Sequence, residues 1–171
     1  MKHLILIFVI MANTIVAQNF HDLTINSISG EEMKMSEFEG KKVLIVNVAS
    51  YCGYTSQYSD LQKLYENHDN LVVIGVPCNQ FGFQEPFSND SISKFCSTKY
   101  AVDFPMTEKI KVKGKNQHPL YKWLTTKELN KVDDFKVSWN FNKFLIDEKG
   151  KFISYFGSST LPSSSKLTQY L

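Results

Sequence analysis

The sequence predicts an α/β domain whose central mixed sheet begins as a parallel β-α-β unit, ends in an antiparallel hairpin and is flanked by helices. Three observations carry that expectation. Two continuous apolar runs, VLIVNV at residues 43–48 and LVVIGV at residues 71–76, have the β-branched content of strands buried on both faces. Between them, TSQYSDLQKLYEN places Tyr58, Leu61, Leu64 and Tyr65 at helical spacing. Near the end, two β segments, residues 142–146 and 151–156, flank the turn signal DEKG.

Taken in order, FHDLTINSIS alternates apolar and polar residues up to Gly30 and reads as a strand entering a turn, and MSEFEG fits one helical turn before Gly40. The first buried strand follows at residues 42–48, then a helix over about residues 56–67, then the second strand, stopped by Pro77. CNQFGFQEPFSND, residues 78–90, is a loop leaving the C-terminal end of that strand, where α/β sheets place their sites. A helix capped by Asn89 or Asp90 is expected through ISKFCSTKY, with Ile92, Phe95, Cys96 and Tyr100 near one face. HPLYKWLTT gives a short amphipathic helix with Leu120, Trp123 and Leu124 inward, and a short closing helix is expected within residues 162–171, with Pro162 at its first position. The lysine run between Lys109 and Lys115 reads as a solvated loop.

The chain has 171 residues, 43% of them hydrophobic, which suits one domain. Its net charge of +2, from 19 basic and 17 acidic residues, excludes the strong field of a nucleic-acid binder. Every basic residue is a lysine, so the bidentate fork of arginine is absent. Residues 1–17 have the parts of a secretory signal: Lys2 and His3, the apolar run LILIFVIMA, and Ala17 as the cleavage point. Asn13 interrupts that run well short of the roughly 20 residues a membrane span requires. The expectation is therefore a domain over residues 18–171, exported to a periplasmic or extracellular space, without stable membrane insertion after cleavage.

Three cysteines, Cys52, Cys78 and Cys96, with no CxxC pair, do not make a disulfide scaffold. Cys52 stands between the first buried strand and its helix. A thiol at a helix N-terminus faces unpaired N–H groups, which favours the nucleophilic thiolate; the alternative for such a cysteine is a small buried hydrophobe. No His/Cys spacing suggests a metal, and neither a phosphate cradle nor a dinucleotide fingerprint is present, so no cofactor is expected.

Strand-helix-strand followed by a hairpin around such a cysteine fits a thioredoxin-like layout. Three blocks then make the resemblance specific: NVASYCGYT, VPCNQFGFQEP and WNFNKFLID, in that order, resemble the signature blocks of the glutathione peroxidase family. The resemblance implies a peroxidase that reduces hydrogen peroxide and organic hydroperoxides with Cys52, assisted by Gln80, Trp139 and Asn140. Neutral amide and indole donors would meet the negative charge that develops as a thiolate breaks an O–O bond. Cys96 matches the resolving cysteine of the non-selenium members that resemble thioredoxin-dependent enzymes, which implies a sulfenic acid on Cys52 and then a Cys52–Cys96 disulfide. Cys96 would leave its helix face to pair. Cys78 is expected to be structural.

Glutathione-binding members use arginines near the site, and a position often occupied by arginine aligns with Tyr155. The loop that builds tetramers in the selenium-containing animal enzymes is missing between Leu129 and Trp139. Both departures favour a monomer recycled by a thioredoxin-like protein over glutathione. A non-enzymatic peroxide sensor that relays its disulfide to a partner would use the same residues. A thiol-disulfide oxidoreductase would want a second cysteine where Thr55 stands.

Overall fold

The computed structural model describes residues 19–171, so the expected export signal lies outside the described residues. The described chain opens on a small antiparallel hairpin, β1 (Thr24–Asn26) and β2 (Glu32–Lys34), flanked by 3₁₀ turns at Phe20–Asp22 and Met35–Phe38. The second turn is the helical turn expected at MSEFEG. The return strand β2 leaves little trace in the sequence, because three residues with only Met33 facing inward carry too little alternation.

The main sheet grows from β3 (Lys42–Val48). Helix α1 (Gln57–Glu66) crosses over to β4 (Leu71–Pro77), which pairs parallel to β3 from Lys42 opposite Leu71 to Val48 opposite Pro77. Two further helices, α2 (Asn89–Tyr100) and α3 (Pro119–Thr125), and one short turn of helix, α4 (Lys127–Asn130), precede the hairpin β5 (Lys143–Ile146) and β6 (Phe152–Phe156). β5 pairs antiparallel with β3 on one side and β6 on the other, which gives the order β4-β3-β5-β6. A final turn, α5 (Ser165–Thr168), closes the chain.

Side-chain alternation along β3 and β4 fills both sides of the sheet, as expected for parallel strands covered by helices. Val43, Ile45, Val72 and Ile74 pack with Tyr121, Trp123 and Leu124 of α3. Leu44, Val46, Val48 and Val73 pack with Tyr58 and Leu61 of α1 and with Ile92 and Cys96 of α2. This second cluster also contains Cys52 and Phe141, so the sheet face under α1 and α2 is the floor of the site.

Two helix starts differ from expectation. Ser88 caps α2, its hydroxyl accepting from the Ser91 N–H, because Asn89 is already helical and its side chain accepts the Lys109 N–H at 2.9 Å. Ser164 caps α5, so Pro162 precedes that helix instead of opening it. Pro119 does take the first position of α3, behind a His118 ring nitrogen that accepts the Leu120 N–H.

Candidate active site

β3 ends at Val48 and a chain of turns carries the backbone to α1. Within it, the Cys52 N–H donates to Thr55 Oγ1 at 2.9 Å, and that hydroxyl donates to the Ala49 carbonyl at 2.8 Å. Thr55, the residue that stands where a second redox cysteine would, therefore clamps the turn. The Tyr54 N–H reaches Cys52 Sγ at 3.4 Å. Helix α1 starts only at Gln57, so a turn amide, not the first turn of the helix itself, addresses the sulfur. Cys52 is 9% exposed, the most exposed of the three thiols.

Asn47 brings the second segment to this turn. A polar residue inside a buried strand must find partners. Its Nδ2 donates to the Trp139 carbonyl at 2.9 Å, its Oδ1 accepts the Asn142 N–H at 3.0 Å, and its carbonyl accepts the Phe141 N–H. Residues 139–142 are thus fixed to β3 five residues before Cys52. Phe141 adopts a left-handed φ of 62°, a conformation that costs a non-glycine residue about 1–3 kcal/mol. Its carbonyl accepts from Lys143 Nζ at 2.8 Å. Trp139 is 38% exposed, and its ring lies against Phe81.

The third segment is the 78–90 loop. Its Tyr51 N–H to Gln84 carbonyl bond of 3.0 Å joins it to the cysteine turn, and Ser50 donates to Glu85 Oε2 at 3.0 Å. Burial raises the Glu85 pKa. Asn140, fully buried, donates from Nδ2 to Gln84 Oε1 at 2.9 Å, while its own Oδ1 is buried without a hydrogen-bond partner among the described residues. A Cβ placed on Gly82 would lie 3.6 Å from both Trp139 Cη2 and Gln84 Nε2, so indole and amide both border this glycine.

The structure gives Gln80 other partners. Its Oε1 accepts the N–H groups of Val112 and Lys113 at 2.7 and 3.1 Å, and its Nε2 donates to the Lys113 carbonyl at 2.9 Å. Its amide is consumed in bracing the 111–114 backbone. The glutamine that meets Asn140 is Gln84, four residues on. Two glutamines in one irregular loop share no period that would tell them apart by sequence.

Cys96 sits on the inner face of α2, 1% exposed, in the same apolar cluster as Cys52. Burial pushes its thiol up to about 11, the neighbouring Tyr58 hydroxyl offsetting part of the rise. All three thiols are free. Cys78 lies in the opposite cluster, wholly buried, with the Gln80 N–H on its sulfur. Among the described residues no group of three or more His, Cys, Asp or Glu side chains could hold a metal ion, and no helix is long and apolar enough to cross a membrane.

Lys143 is fully buried, and burial depresses its amine to about 7 from an ordinary 10.5. Between those values the unfolded chain binds more protons at this group than the native chain does, so native stability rises with pH. Cys96, protonated in the native state to about 11 against an ordinary 9.0, cancels the trend above pH 9. Denaturant unfolding should therefore show a gain on the order of 2 kcal/mol between about pH 7 and pH 9, absent in Lys143→Met.

A thiol in the turn after a central strand, with the Gln84 loop and the Trp139–Asn140 segment hydrogen-bonded around that strand and turn, fits a thiol-based oxidoreductase on a thioredoxin-like fold. A family model described as glutathione peroxidase matches residues 20–125, and the chain belongs to that family. It is 44% identical over 148 residues to glutathione peroxidase-like peroxiredoxin 2 of Saccharomyces cerevisiae, covering 85% of this chain and 91% of that one. It is likewise 44% identical over 144 residues to the hydroperoxy fatty acid reductase gpx1 of a Synechocystis strain, covering 80% and 85%. The crystal structure of Trgpx in its apo form superposes with a TM-score of 0.70 at 38% identity, covering 90% of this chain and 95% of the other. The protein is a peroxidase.

Proposed function

We propose that the protein reduces hydrogen peroxide and organic hydroperoxides through Cys52 and is recycled by a thioredoxin-like dithiol protein. The Cys52 thiolate attacks one peroxide oxygen: an S–O bond forms, the O–O bond breaks, and the departing oxygen takes a proton and leaves as water or an alcohol. Cys52 is left as a sulfenic acid. The Cys96 sulfur then attacks it, forming a disulfide and releasing water, and the donor's two thiols return both cysteines to the reduced state.

One observation carries this proposal. The Cys52 turn, the Gln84 loop and the Trp139–Asn140 segment are tied to one another through Asn47 and through the Tyr51–Gln84 and Asn140–Gln84 bonds. That arrangement can present neutral donors to a developing oxyanion without adding a charge beside the sulfur. Gln84 takes the role first expected of Gln80. Gln84→Leu should slow single-turnover oxidation of Cys52 by about 10- to 100-fold. Gln80→Leu should leave that rate within about threefold and act on stability instead, since it strands two backbone N–H groups. Stopped-flow oxidation beside thermal melts of both variants separates the two glutamines.

The choice of donor is supported by the absence of arginine and by Tyr155, whose hydroxyl donates to Asn142 Oδ1 at 2.6 Å at the position where the family resemblance leads one to expect an arginine in glutathione-binding members. The likeness to a protein named a peroxiredoxin points the same way. Peroxide consumption with thioredoxin and its reductase should exceed that with glutathione and its reductase; the reverse order would make glutathione the donor. The proposal also includes a monomer, exported by the signal at residues 1–17, which size-exclusion chromatography and N-terminal sequencing of the mature chain would test.

A further inference from the structure

Lys143 is a lysine where an apolar residue would fill the space at less expense. It is fully buried, it faces Val46 across β3 and Phe156 across β6, and both neighbours belong to the cluster that holds Cys52, Tyr58, Cys96 and Phe141. Among the described residues the ion pairs are Lys34–Glu32 and Lys42–Glu148, and Lys143 takes part in neither. An ammonium taken out of water without a carboxylate is a liability to stability. What it does have is one directed bond, Nζ to the Phe141 carbonyl at 2.8 Å.

That bond falls on the one residue of the segment with left-handed φ. The Phe141 peptide is gripped from both ends, its N–H by the Asn47 carbonyl and its carbonyl by Lys143. Its ring is set edge-on against Tyr58, centroids 5.6 Å apart. The residue before it is Asn140, whose amide direction depends on how the Phe141 backbone is held. The residue before that is Trp139.

We propose that Lys143 is a positioning residue for peroxide reduction: its amine holds the Phe141 carbonyl in place and thereby aims the Asn140 amide and the Trp139 indole toward the Cys52 turn. The inference rests on the function proposed above. An ammonium makes a stronger bond to a carbonyl than a neutral amine does, and burial brings the change of charge on this amine to about pH 7. The other titratable groups of the cluster and its rim are Cys52 and Tyr54 in the turn, Tyr58 and Tyr65 on α1, Cys96 and Tyr100 on α2, and Glu85 in the loop. A readout is therefore needed that cancels the titration of the thiol.

Such a readout is the rate constant for Cys52 oxidation by hydrogen peroxide divided by that for its alkylation by iodoacetamide, measured on the same protein by mass spectrometry. Both reactions draw on the same thiolate, and only the first uses donors to an oxyanion. In the wild-type chain the ratio should fall as pH rises through about 7, as the ammonium is lost. In Lys143→Met, a near-isosteric apolar replacement, it should be about 10- to 100-fold lower at pH 6 and flat with pH. A Lys143→Met protein that folds and keeps the wild-type ratio overturns the proposal. A wild-type ratio flat from pH 6 to 9 overturns it without any variant, so a failure of the variant to fold leaves the question decidable. If wild-type Cys52 is alkylated but not oxidised at all, the proposed function fails with it.

Discussion

Replacing Cys52 with serine is expected to lower peroxide consumption roughly a thousandfold or more, because a hydroxyl supplies neither the ionised nucleophile nor the polarisable sulfur the reaction needs. The variant should otherwise be the same molecule. Its N–H still has Thr55 Oγ1 at 2.9 Å, and the Tyr54 N–H meets an oxygen in place of sulfur. The melting temperature should therefore move by only a few degrees. Retained turnover in Cys52→Ser would pass the chemistry to Cys78 or Cys96, both sealed in the interior.

Cys96→Ser should divide the reaction in two. The first half, oxidation of Cys52 by one equivalent of peroxide, should keep its rate to within about threefold, since Cys96 faces the cluster and not the peroxide. The second half should stop. Without a resolving thiol the sulfenic acid accumulates, is trapped by dimedone or oxidises further, and donor-supported turnover falls by about two orders of magnitude. Some loss of stability accompanies it, about 1–3 kcal/mol for a hydroxyl in an apolar cluster, reduced to the extent that Tyr58 offers it a partner. If instead the variant forms a lasting mixed disulfide with one cellular protein while wild-type turnover is slow, the chain serves as a relay for peroxide signals more than as a scavenger.

The same geometry gives Cys96 a conformational demand. It sits mid-helix, 1% exposed, its thiol held protonated by burial, and a disulfide needs the two Cα atoms within about 7 Å. Helix α2 ends at Ala101 in a left-handed cap with φ 52°, and much of its outer face is polar. Amide exchange across residues 89–100 should speed up on oxidation, with α1 changing less.

What could be read from sequence follows where burial repeats along the chain. β3 and β4 were legible because strands covered on both faces show as unbroken apolar runs, and the site turn was legible because a cysteine interrupts one of them. The choice between Gln80 and Gln84 was not legible. Between them lies the left-handed turn at Gly82 and Phe83, φ 62° and 53°, before which one amide meets the Val112 N–H and after which the other meets Asn140. Asn47 and Lys143 left a fainter trace, one a polar residue inside an apolar strand and the other at the head of one. Strand patterning assigns such residues to solvent, but the structure buries both and spends their hydrogen bonds on the 139–142 segment.

Titration of the fully reduced protein with peroxide, followed by mapping of the thiols and disulfides, tests the central claim most directly. One equivalent should convert Cys52 and Cys96 into a single disulfide within the chain and leave Cys78 free to alkylate after unfolding. Cys52 still unmodified at stoichiometric peroxide, or a disulfide that contains Cys78 in place of Cys96, would contradict the mechanism.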